Sequence, residues 1–459
     1  MRWHALRCPR RLPQCAAEYA LQPRGPRRVR QGGQSLLIAL GLLFAGALAM
    51  VVMFSAAQVA ATKQRLTDSA DAAAWSAALW RARVLNYHAY SNRAIVANEV
   101  AIAQAVTLVA WSRYFESLTR NAAQFSTLLP VAEPVLTSVA QAAALARESA
   151  ELAAHIEIAA RGAEAVGYKD ILQTSQEILH LASQGFALNM VTAEVARAND
   201  PAFFAWVLPD PSAQWLRFTH RAESVEERNR LANVVRASLD PFVSGPRSED
   251  LYTPIPSLCL KLMRLRKRGV TTLSEQLDRW EAADSMSFHL RTLSLSGCKE
   301  REAVPLGWGA AEAGAAVGGL TTTAGEVGIN PQANQLAAAS MFSEPGYGGI
   351  ARTRELHYEE LANTLFPTSG VAVVARIAAD QVPTVANRAL SGPALTPEDS
   401  FAGASQPHLW ALSAAEVYFR RPPDAAPRTE YASLFNPYWQ VRLIAPTAAQ
   451  RLLAQGYQR

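Results

Sequence analysis

The chain has 459 residues and a formal charge of +5, too long for one small domain and enough for two cores of about 100–200 residues each. A pI near 9.1 suggests a nucleic-acid partner, but the placement of the charge excludes it. Residues 1–30 hold eight arginines (Arg2, Arg7, Arg10, Arg11, Arg24, Arg27, Arg28 and Arg30) against one acid, Glu18, a net of +7 that leaves everything after them at −2.

That basic tail precedes Ser35–Ala61, a stretch without charge whose only polar side chains are Ser35, Ser55 and Gln58. As a helix, its first ~23 residues cover roughly 35 Å, enough to cross a ~30 Å hydrocarbon core with some tilt. The positive-inside rule then keeps the tail cytoplasmic and sends the bulk of the chain across the membrane. A cleaved signal peptide is the other reading, but the apolar run exceeds the usual 7–15 residues. The tail arginines are read as orientation signals and headgroup contacts, not as a DNA-binding arm.

From Ala47 to Leu129 there is neither glycine nor proline, so the membrane helix is expected to run on well past the bilayer, with a bend or break somewhere along it. Leu66, Ala70, Ala73, Ala77, Trp80, Val84 and Tyr87 recur at helical spacing, a stripe of mostly small residues that permits close approach by another helix of this chain or of a partner. Ala94–Trp111 is apolar but interrupted by Asn98, Glu99 and Gln104, which argues for a buried helix rather than a second span. Pro130 and Pro134 mark a corner. Val135–Ala198 returns as helix with Gly162, Gly167 and Gly185 as soft points, and Leu152, His155, Ile156 and Ala159 form its expected inward face. An antiparallel pair or small bundle follows.

Prolines break the pattern from Asp200. Ser224 and Glu227 have capping-box spacing for a helix over 224–238. Residues 258–268 and 286–293 alternate as antiparallel strands, the second with Met286, Phe288 and Leu290 on one face and Ser287, His289 and Arg291 on the other. Residues 304–350 hold ten of the 25 glycines and read as loop, with a short helix near Gln332–Met341. Val371–Ala378 reads as a strand, Leu409–Arg420 as helix or strand, and Tyr431–Leu443 as an aromatic segment around Asn436-Pro437.

The expected architecture is thus a membrane-anchored α+β chain. One N-terminal transmembrane helix continues into a long helical region, followed by an irregular mixed domain with a small antiparallel sheet. Its segments are a basic cytoplasmic tail (1–30), an anchor (31–61), an exported helical region (62–199), a mixed domain with antiparallel strands (200–303), a Gly/Ala-rich loop region (304–350) and the C-terminal part of the exported domain (351–459).

Chemistry is sparse. The cysteines have no zinc spacing, and there is no HExxH, nucleophile elbow, P-loop or dinucleotide fingerprint. No catalytic residue, metal or cofactor is therefore expected. Gly307-Trp308-Gly309 reads as turn chemistry, and the basic run Lys261, Arg264, Arg266, Lys267 and Arg268 as alternate charges on a half-exposed strand, with an anion patch as the competing reading. Cys259 and Cys298 fall on the exported side, either as a disulfide closing a ~40-residue loop or as two buried thiols. Ala70, Ala73, Ala77 and Trp80 are the candidate helix-contact residues, through which a homo-oligomer could form.

Several of these residues carry a resemblance. Arg30, Gly33-Gln34, the apolar span, Lys63 to Leu66 and the run Asp68 to Ala74 resemble the N-terminal module of TadE/TadG-like proteins of the tight-adherence (Flp) pilus system. SAAEVYF at 413–419 and ASLFNPYWQVRL at 432–443 resemble the C-terminus of larger members. The resemblance implies a single-pass protein of the bacterial inner membrane with a periplasmic domain, contacting the bilayer and other pilus or secretion proteins. The chain departs from the family at Asp284-Ser285-Met286-Ser287, which does not fit the metal motif of a von Willebrand type A domain. It departs again at Ile38, where peptidase-processed members carry glutamate. Competing readings are an envelope sensor with a ligand-binding domain and an anchored hydrolase, the latter requiring a pocket that brings a histidine and a carboxylate together.

Overall fold

The structure is a computed structural model. It describes residues 34–125, 133–209, 214–252, 263–294, 297–314, 320, 327–357, 368–384, 408–422 and 430–456. The basic tail lies outside them. The organising element is α1 (Gln34–Phe125), a single helix of 92 residues, about 138 Å long at 1.5 Å per residue. The expected break is not there. No glycine or proline occurs in it after Gly46, and from Thr62 on the helix is held by continuous packing.

α2 (Glu133–Ala182) returns antiparallel to α1, tied by Arg147 Nε to Glu116 Oε2 at 2.7 Å towards one end and Tyr87 to Ser175 at 2.6 Å towards the other. Gly185, at φ 48, breaks it from α3 (Phe186–Asn199), a left-handed position that glycine occupies without steric cost. The expected inward face of α2 is wrong. Leu152 and Ile156 are 61% and 57% exposed, and the buried positions are Ala154 and Ile158. Periodicity located an apolar stripe, but α2 is apolar over more than one arc and α1 covers the other.

Helices and strands then share cores instead of forming a bundle. The first sheet is antiparallel throughout, ordered β1 (Phe204–Val207), β9 (Thr368–Ala378), β10 (His408–Phe419) and β11 (Trp439–Ile444). Strand alternation sends Val371, Val373, Ala375 and Ile377 to the α1 side. Ala372, Val374 and Ala414 go to the opposite side, where the C-terminal helix α7 (Ala448–Gly456) covers them through Ala454. A two-stranded ribbon pairs β2 (Thr219–Arg221) with β8 (Arg354–Leu356).

The second sheet lies farther along α1. Its order is β3 (Glu249–Tyr252), β4 (Met263–Leu273), β5 (Arg279–Ser294), β6 (Gly297–Gly314) and β7 (Phe342–Pro345), antiparallel except for the parallel β6–β7 pair. α4 (Val225–Ser238) and the short α5 (Pro241–Ser244) pack beside it, and α6 (Pro331–Ala339) crosses its other face. The capping box at Ser224 and Glu227 is present in full.

Two expectations fail in this sheet. Residues 304–314 are strand, not loop, and Gly307-Trp308-Gly309 is mid-strand, not a turn. A Cβ on Gly309 would stand 2.2 Å from Ala110 O and 2.3 Å from Tyr114 N, so these glycines are present because α1 crosses β6 at backbone contact. The polar face of β5 is the buried one: Ser285 and Ser287 are fully buried and His289 is 3% exposed, while Met286, Phe288 and Leu290 are only half-buried. Asn330 and Glu302 supply the partners that make this burial tolerable, His289 Nε2 meeting Asn330 Oδ1 at 2.8 Å and Ser287 Oγ donating to Glu302 Oε1 at 2.5 Å. Glu302 also accepts from the first backbone amides of α6, Gln332 N at 2.5 Å and Ala333 N at 3.0 Å.

Candidate functional site

Along α1, exposure divides the helix sharply. From Ser35 to Ala57 all side chains are exposed except the half-buried Val51 and Ser55. Leu36, Leu37, Ile38, Leu40, Leu42, Leu43, Phe44, Met50 and Met53 are each more than 60% exposed. This far exceeds the few hundred Å² of contiguous apolar surface that a soluble monomer shows. Among the described residues, this is the one helix long and apolar enough to cross a membrane. Thr62 opens the buried part.

The small-residue stripe lies just beyond. Leu66, Ala70, Ala73 and Ala77 are fully buried and Trp80 is half-buried, all in one cluster with Leu188 of α3 and Val373, Ala415 and Trp439 of the first sheet. What approaches this stripe closely is the chain's own sheet and α3. The outward face carries Trp75 and Tyr90, 42% and 61% exposed.

Two asparagines on α1, the half-buried Asn86 and the buried Asn92, hold the C-terminal segment. Asn86 Nδ2 donates to Trp439 O at 3.1 Å, and Asn86 Oδ1 accepts from Trp439 N at 3.1 Å. Asn92 Nδ2 donates to Leu434 O at 2.9 Å and to Arg354 O at 2.7 Å. Such amides satisfy backbone groups that no strand reaches. Residues 432–441 are thereby strapped to the helix. Sequence reasoning passed over both asparagines; polar residues placed on a buried helical face were the available signal.

Beside this strap α1 and α4 bound an open cleft of about 830 Å³. Val96, Ala97, Val100, Val234 and Phe435 form its apolar walls, and Arg93, Arg230, Asn436 and Glu355 supply its polar groups. Glu355 is 3% exposed. Burial pushes its carboxyl up, while Arg230, donating from Nε at 3.0 Å and Nη2 at 2.9 Å to one oxygen, pulls it back. The other oxygen, Oε1, has no hydrogen-bond partner among the described residues. An apolar molecule bearing one hydrogen-bond donor would suit this cleft.

No histidine is among its lining residues, although His220 stands opposite Glu355 across β2 and β8. His220 Nε2 meets Glu227 Oε1 at 2.5 Å and His155 Nδ1 meets Glu344 Oε2 at 2.5 Å, proximities that sequence spacing did not reveal. Burial alone would raise Glu227, but hydrogen bonds from His220 and the Ser224 and Glu223 amides hold it down at about 2. It is an ionised helix cap. His88 and His180 are buried with their rings 6.0 Å apart, His180 stacked on Trp215. Burial first, then the Arg354 charge, lowers both, His180 to about 3.

Asp284 is fully buried and paired with Arg247, Nε to Oδ1 at 3.0 Å and Nη2 to Oδ2 at 2.9 Å. The run Arg264, Arg266 and Arg268 converges on Asp250, with Glu300 sharing the first two; these three charges are paired within the sheet, and Lys261 lies outside the described residues. Cys259 also lies outside them, and Cys298 is placed only as a backbone position on β6 opposite Leu293. No group of three or more metal-ligating side chains occurs among the described residues. Comparison with protein-family models, curated proteins and solved structures finds no match.

Proposed function

We propose that this chain is a single-pass, non-enzymatic structural component of the bacterial inner membrane that serves a tight-adherence-type pilus or a related secretion assembly. The observation that carries the anchoring is the division of α1 into an exposed apolar segment of membrane length and a buried remainder. The basic tail orients it with the N-terminus in the cytoplasm and the two sheets in the periplasm. The pilus assignment rests on the resemblance of residues 30–74, 413–419 and 432–443 to TadE/TadG-like proteins. It gains support from their meeting in space: β10 and the Asn-strapped segment pack along the membrane-proximal part of α1. Function here is mechanical. A helix fixed in the bilayer holds a rigid module at a set height above it.

Carbonate extraction of membranes expressing the full chain tests the anchor. Retention in the pellet is expected, with release when residues 35–58 are deleted; release of the intact chain would sink the reading. Co-purification from detergent-solubilised membranes of a cell carrying such a pilus should recover further pilus components, and recovery of none would remove the pilus assignment. The cleft at Glu355 favours the sensor reading as the alternative. A thermal-shift screen with amphiphilic amines and amides would detect such a ligand, and Glu355→Gln should abolish the shift.

A further inference from the structure

The height of the first sheet above the membrane follows from helix geometry. Ser35 to Gln58 as helix covers about 36 Å, and Lys63 stands five residues farther, about 7.5 Å along the axis. The headgroup layer on one side of a bilayer is about 5–8 Å thick. Lys63 therefore lies at its outer edge. Its ammonium donates to the carbonyl of Trp410 and sits 5.4 Å from the centre of that indole. Trp410 is thus at headgroup depth, and because α1 is unbroken between the span and the sheet, no joint lets it move away.

Trp410 belongs to a row. Strand register places Phe204 opposite Arg376 and Arg376 opposite Trp410, one line across β1, β9 and β10 at the membrane-proximal end of the sheet. The line lies on the face away from α1, beyond the part that α7 covers. Phe204 is 45% exposed, and the Arg376 guanidinium stacks 5.4 Å from its ring and 5.2 Å from that of Trp206. An apolar ring, an amphipathic indole and long cationic stems side by side suit a boundary that is apolar on one side and wet on the other. Asp380, exposed at the same edge, keeps the patch from being purely cationic, so recognition does not require anionic lipid.

We infer that this end of the first sheet rests in the headgroup layer of the bilayer that holds α1, with Phe204, Arg376 and Trp410 as the contact row and Lys63 as the cation beside it. The inference rests on the anchoring reading. Full-length protein in phosphatidylcholine vesicles tests it, the lipid brominated either near the headgroup or near the tail end. The chain has ten tryptophans, so the signal is the difference between the wild-type emission and that of Trp410→Phe. That difference should be quenched about twofold or more by the shallow bromine and little by the deep one. Phe204→Trp adds a second reporter to the intact row and should show the same preference. Vesicle flotation separates the two claims. Protein that floats but shows neither reporter quenched overturns the headgroup contact and leaves the anchor standing; protein that does not float overturns both.

Discussion

Where α1 meets the first sheet, the helix supplies the small side chains, Ala70, Ala73 and Ala77, and the opposing elements supply bulk in Val373, Ile377 and Trp439. Where it meets β6 the roles are exchanged. The strand contributes Gly307 and Gly309, and the helix contributes Tyr114 and Leu118. The cores differ in the charge they bury. The first holds the cation Arg81 with His88 and His180 among aliphatic and aromatic side chains, whereas around the second sheet the buried residues include the carboxylates Glu99, Asp284 and Glu302. Glu99 accepts from Trp280 Nε1 at 3.2 Å and from Tyr347 Oη at 2.6 Å. Close approach of a helix to a sheet needs one small partner, and which partner it is decides how the contact can be recognised.

The sharpest way to break this comparison is at Asp284. Replacing it by alanine leaves Arg247 buried without its counter-charge and should cost about 3–5 kcal/mol in urea unfolding. A cost under about 1 kcal/mol would mean that the second core does not depend on its charges. Gly309→Ala should cost about 3 kcal/mol, the upper part of the overpacking range, because the added methyl meets backbone atoms that cannot rotate away. Near-neutral behaviour in a melting curve would disprove the backbone contact.

Acid should act on the first region through His180 and His88. Both are held below the ordinary value of 6.5, so between about 3 and 6.5 the folded chain binds fewer protons than the unfolded one. Stability is then complete above about 6.5 and lost as pH falls. For His180 the loss at pH 5 is about 2 kcal/mol. A His88→Gln, His180→Gln double variant should flatten that slope in pH-dependent unfolding, and an unchanged slope would place the sensitivity elsewhere. The smallest effect belongs to Ser224→Ala, which removes one side of a complete capping box on α4 and should cost about 1 kcal/mol.

The same comparison explains what could be read from the chain in advance. A stripe of alanines at helical spacing is visible in one dimension, as are the apolar span and the Ser224–Glu227 cap. Glycines in a strand look like turns, because nothing local announces the helix that presses on them. Alternation in β5 separated its two faces correctly but did not say which is buried; Asn330 and Glu302, distant in sequence, make the polar one the interior. The mixed α+β character was legible. The cleft was not, since Arg93, Arg230, Glu355 and Asn436 come together only through packing.

The bond between Asn86 and Trp439 joins residues 353 positions apart, and it bears on how the molecule comes into being. α1 is made first, yet the strands and the strap that cover its alanine face are made last. During synthesis that face waits exposed, and chains cut short before β10 and β11 leave it so, open to mispairing. Loop closure over such distances is slow. On the anchoring proposed above, α1 spends that delay fixed in place, with its partner strands confined to the same neighbourhood until the last of them arrives.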